Sequence, residues 1–185
     1  LTDPIATLSN LRDTLDEFAA AMDPDEDIAM VYLAARDSAA GELDVRLPPL
    51  ELMPISPSRL RGAFDDAGIR YRVVVVSACR AGGFVDELAD DDTAVVVASR
   101  DGGRRGDCGP DGDATAFGAA FFGDGMQKAT GLAEAFDVAR ASFERRSPSA
   151  RPERRIGPGI AARLADLRRA NGSQRQARRS GYRTG

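Results

Sequence analysis

The chain has 185 residues, 43% of them apolar and 29% charged, with no histidine and a formal net charge of −4. That apolar share suits one packed domain and excludes wholesale disorder. It holds neither an apolar run of about 18 residues nor a signal-peptide pattern, so no membrane segment is expected within it. It opens at Leu1 rather than Met, which leaves room for an upstream segment and leaves localisation open, cytoplasmic by default and envelope-associated if such a segment carries an export signal.

The charge is unevenly spread. From Arg140 to Gly185 there are 13 Arg against 3 acidic residues, whereas the rest carries 12 basic and 26 acidic ones. A basic tail can meet nucleic acid or anionic surfaces, but beyond Phe143 this one holds a single aromatic, Tyr182, and no stacking platform. Nucleic acid is therefore not expected as a partner. The two cysteines, Cys79 and Cys108, make neither a disulfide framework nor a zinc site, and no cofactor is expected. The Asp- and Gly-rich stretch from Asp107 to Asp113 has the oxygen chemistry for calcium but not the spacing of an EF-hand.

In chain order, Ile5, Leu8, Leu11, Leu15 and Phe18 recur at helical spacing and predict a helix over residues 4–22. The apolar run Ile28 to Ala35 predicts a buried strand. Residues 36–55 hold several prolines and room for a short hairpin at 43–47. Ser56 as N-cap and Pro57 in the first turn open a second helix, which Gly68 ends. Tyr71 to Ala78 predicts a central strand, Gly83 to Ala89 a short helix, and Thr93 to Ser99 another buried strand. A glycine-rich loop spans 100–114. Helical patterns return at 115–122 and 132–145. Residues 147–158, rich in Pro, Arg and Gly, read as a linker, 160–169 as a last amphipathic helix, and 171–185 as a basic disordered tail. The domain proper is 1–146, with 147–170 packed upon it.

Helices alternating with all-apolar strands predict an α/β fold with a mostly parallel sheet covered on both faces. Ligands of such sheets collect beyond the carboxyl ends of the strands. Cys79 stands at that edge, after Val73-Val74-Val75-Val76-Ser77-Ala78 and before Arg80-Ala81-Gly82-Gly83. There a helix N-terminus and a glycine turn favour a thiolate, and the Cys79 N–H could serve an oxyanion. A small apolar residue closing a core strand is the plainer reading of the same position.

The segment from Ala67-Gly68-Ile69-Arg70-Tyr71-Arg72 into VVVVSACRAGGF resembles the legumain-like cysteine peptidases of the caspase clan, in particular their bacterial members. Asn10-Leu11, Thr93 to Ala98, Cys108, Thr115-x-Phe117-Gly118 and Ala135-Phe136 extend the resemblance, which runs from Pro4 to Leu167. It implies a caspase-like three-layer α/β/α fold lacking the family's first strand and helix. It implies that Cys79 is the nucleophile position, with the oxyanion hole at residue 37 and the Cys79 N–H, and a substrate pocket including Ser77, Arg100 and Asp101.

Aligning Val31-Tyr32-Leu33 with the strand before the family's His-Gly pair puts Arg36 in place of the catalytic histidine and Asp37 in place of the glycine. A guanidinium does not exchange protons at useful pH, and a carboxylate beside an oxyanion repels it. The expectation is a peptidase homologue that binds a peptide or protein without cleaving it. The alternatives are an active cysteine endopeptidase with an unorthodox base, and a small-molecule-binding doubly wound domain, although no phosphate-binding glycine fingerprint is present.

Overall fold

The computed structural model describes residues 6–103 and 115–181, the last ten of these as backbone only. The order of elements is α1 (Leu8–Ala21), β1 (Ala29–Ala34), β2 (Arg46–Leu47), β3 (Leu50–Glu51), α2 (Pro57–Asp66), β4 (Arg72–Ser77), α3 (Gly82–Leu88) and β5 (Thr93–Val97). A composite helix α4 over 116–128 follows, α-helical at Ala116–Gly118, π-helical at Ala119–Gly125 and α-helical again at Met126–Lys128. The chain closes with α5 (Leu132–Arg146), β6 (Glu153–Ile156) and α6 (Pro158–Gly181). Among the described residues no helix is long and apolar enough to cross a membrane.

The main sheet has the order β1-β4-β5-β6, its first three strands parallel and β6 antiparallel. All of β4 and β5 is buried. Each feeds one set of side chains to either face, as the two-residue period of a strand requires. Val74, Val76, Val95 and Val97 meet Leu15 of α1, Phe64 of α2 and Phe84 of α3. Val73, Val75, Ala94 and Val96 meet Phe121 of α4, Phe136 and Phe143 of α5, and Ile160 of α6. The result is an α/β fold with a mostly parallel sheet and helices on both faces, as the alternation of elements predicts.

Local chemistry sets the boundaries. The Ser56 hydroxyl accepts the Arg59 N–H at 3.2 Å with Pro57 in the first turn, and Gly68 ends the helix at a φ of +71°. Three expectations change: β1, read as a buried strand, is an edge strand with Met30 and Tyr32 exposed. The stretch read as a linker contains β6, and the helix read over 160–169 runs on to Gly181, so residues 171–181 of the expected disordered tail are helical in backbone.

Strand β6 escaped the pattern because Glu153, Arg154 and Arg155 are not apolar. As an edge strand it leaves Arg155 exposed and pairs through its backbone with β5. Its guanidinium and carboxylate groups are used laterally: Arg154 meets Asp137 at 2.7 Å, and Glu153 meets Arg100 at 3.0 Å.

Two glycines test this packing from opposite sides. A Cβ on Gly157, just after β6, would lie 2.1 Å from the Asp90 carbonyl oxygen and 2.3 Å from that of Asp91, so Gly157→Ala should lower the unfolding free energy in urea by about 1–3 kcal/mol. Gly62, inside α2, has open space around it. Gly62→Ala should raise the unfolding free energy by about 0.5–1 kcal/mol.

Candidate functional site at the carboxyl edge of the sheet

Strands β1 and β4 run in register from Ala29↔Arg72 to Ala34↔Ser77, so residues 36 and 79 each stand two positions beyond the last pair. The edge expected to carry the site thus gathers Arg36, Asp37, Cys79 and Arg80. Arg36 is exposed and its carbonyl accepts the Asp44 N–H at 2.7 Å. No described carboxylate pairs with its guanidinium.

Asp37 has the opposite character. Its side chain is only 7% exposed. One carboxylate oxygen accepts the Cys79 backbone N–H at 3.1 Å and the other accepts Arg80 Nε at 2.6 Å. The loop that follows is shaped to hold it there. Ser38 closes a turn through the Glu42 carbonyl and through its own hydroxyl, which accepts the Ala40 and Glu42 N–H groups. Gly41, at a φ of +74°, brings the loop so close to Arg80 that a Cβ there would sit 3.0 Å from the Arg80 carbonyl oxygen. Leu43 then pairs with Ile55 through two backbone hydrogen bonds of 2.9 Å.

Of the two donors expected to cradle an oxyanion, at residue 37 and at Cys79, that of Cys79 is therefore engaged. Cys79 N–H points at a carboxylate. Ala81 N–H donates to the Ser99 carbonyl at 3.0 Å and Gly82 N–H to the Arg100 carbonyl at 2.9 Å. Gly82 is required by that approach, since a Cβ would lie 2.6 Å from the Arg100 side chain and 2.9 Å from its carbonyl oxygen. The glycine turn admits the neighbouring strand end rather than a ligand.

Cys79 itself is 4% exposed and packs with Val75, Ala98 and the Phe117 cluster. It is disulfide-bonded, whereas the cysteine count alone predicts no disulfide framework. A sulfur in a disulfide presents no thiolate, so nucleophilic chemistry at this position requires reduction first. Cys108, the only other cysteine in the sequence, and the candidate calcium stretch 107–113 lie outside the described residues. Among the described residues no group of three or more carboxylates or thiols is arranged to hold a metal ion.

The residues expected in a substrate pocket take separate places. Ser77 is fully buried and donates its hydroxyl to Thr115 Oγ1 at 2.8 Å. Thr115 also accepts the Gly118 N–H at 2.8 Å, which fills its two lone pairs and leaves its own proton for Tyr32 Oη, 2.8 Å away. Sequence patterning missed this network, although Thr115-x-Phe117-Gly118 marks it.

Arg100 binds both oxygens of Asp86, at 2.8 and 3.1 Å, and reaches Glu153 at 3.0 Å. Asp86 foremost and then Glu153 raise its pKa above the ordinary guanidinium value. It ties α3 to β6 across the strand ends. Asp101 is exposed, and its carbonyl accepts the Ser99 hydroxyl.

Two outcomes follow. Asp37→Ala should lower the unfolding free energy by about 2–3 kcal/mol, because it strips a charged acceptor from a buried N–H and from Arg80. Gly118→Ala places a Cβ 2.3 Å from Tyr32 Oη. Its cost should be smaller in a Tyr32→Phe background, an interaction readable in a double-mutant cycle.

Comparison with protein-family models finds no match to this chain, and no curated protein matches it.

Proposed function

We propose that this chain is a legumain- or caspase-like peptidase homologue that does not cleave, and that it acts by holding a peptide or protein at the carboxyl edge of the sheet. The observation that carries this reading is the Asp37 carboxylate on the Cys79 N–H. In acyl transfer that N–H would have to stabilise a developing oxyanion. Here the acceptor is already present as a fixed anion, and a second negative charge would be repelled by it.

The remaining chemistry argues the same way. Arg36 supplies a permanent cation in the position that a proton-carrying imidazole would need, so no side chain of that pair can protonate a leaving amine. Reducing the Cys79 disulfide would restore a thiol but neither the proton relay nor the vacant donor. What Arg36 does offer is an exposed cation for an acidic side chain or a C-terminal carboxylate of a bound peptide.

The test is cleavage of a mixed peptide library by the reduced chain, with Cys79→Ala as control. The expected outcome is no turnover above that control, together with release of any bound peptide at raised ionic strength and by Arg36→Gln. Turnover by the reduced chain that Cys79→Ala abolishes would contradict the proposal and favour an active peptidase with an unorthodox base.

A further inference from the structure

At the other end of the sheet, and on the face covered by α4, α5 and α6, lies a cavity of about 440 Å³. Its wall is apolar: Val73 and Ile156 come from the sheet, Met30 from the edge strand β1, Met126 from α4, Leu132 from α5 and Leu164 from α6. Val73 lies near the start of β4 and Cys79 two positions past its end, so roughly 20 Å separate this cavity from the Cys79 edge. The volume falls in the range of small-molecule sites, and so does the make-up, a mostly apolar lining with a few polar groups.

Those polar groups sit at the rim. Arg168 donates from Nη1 to the Thr130 carbonyl at 2.9 Å. No described carboxylate pairs with it. The guanidinium lies against the backbone of Gly131, where a Cβ would come within 2.4 Å of Nη1. Glu134 is the one acid of the lining. Its Oε2 accepts both the N–H and the hydroxyl of Thr130 at 2.8 Å, and these bonds hold its pKa below the ordinary glutamate value. The rim therefore presents a cation free of any ion pair among the described residues on α6, and a carboxylate tied back to the preceding turn.

We infer that this cavity binds an anionic amphiphile, its acyl chain among Val73, Ile156, Leu132 and Leu164 and its carboxylate on Arg168. The apolar wall accounts for the chain, and charge complementarity at Arg168 selects a carboxylate over a neutral head. Met30 and Met126 stand 42% and 44% exposed at the opening. Unbranched thioether side chains of that kind adapt to a flexible guest. The inference is independent of the peptide-binding reading, since it uses the opposite end of the sheet.

The experiment is calorimetric titration of the full chain with decanoate and with decanol. Decanoate should bind saturably, and Arg168→Gln should weaken it about two- to fivefold while leaving decanol unchanged, as expected for loss of one exposed ion pair. Glu134→Gln should tighten decanoate but not decanol, since it removes the opposing charge. Ala161→Phe, which fills the cavity from the exposed side of α6, should abolish binding of both. Absence of saturable decanoate binding would overturn the inference, and so would equal responses of acid and alcohol to Arg168→Gln or binding that survives Ala161→Phe.

Discussion

A single carboxylate organises the carboxyl edge of this sheet. Asp37 leaves the end of β1, crosses to β4 and closes on the Cys79 N–H and the Arg80 guanidinium. Burying a charge is costly unless hydrogen bonds replace its water, and both of its oxygens have found such partners. The loop from Ser38 to Leu43 is folded around that contact, and the β4–α3 turn is pinned from the other side by the Ser99 and Arg100 carbonyls. The edge is closed by its own groups.

This arrangement bears directly on chemistry. A hydrolytic site needs donors without acceptors, waiting for charge that develops during reaction. The Cys79 donor here is satisfied in the resting fold, and the sulfur is held in a disulfide within an apolar cluster. The same interactions that stabilise the turn occupy the Cys79 N–H and bury its sulfur, which is why the proposed reading is one of binding rather than turnover.

Much of the frame was legible in the sequence because local signals and tertiary packing agree. Ser56-Pro57 and Gly68 bracket α2, and the valine runs of β4 and β5 are buried on both faces. Legibility fails where an element is held by its neighbours. Strand β6 carries Arg and Glu, yet its backbone pairs with β5 and its charges are spent on Asp137 and Arg100.

At the site, the sequence places Arg36, Asp37 and Cys79 at one edge, and the structure brings them there. It does not reveal that Asp37 would turn inward to Arg80, because that contact spans 43 positions and depends on the Gly41 turn. Nor does it separate Ser77 from a pocket. The Thr115–Tyr32 network that buries it is a product of how α4 lies on the sheet.

The most direct measurement is amide hydrogen exchange at Cys79, followed by nuclear magnetic resonance in the unmodified chain and in Asp37→Asn. The account predicts strong protection at Cys79 that falls in the variant, while the Val75 amide inside β4 keeps its protection. Rapid exchange at Cys79 in the unmodified chain would show that its N–H stands open, and would contradict the claim that Asp37 occupies it.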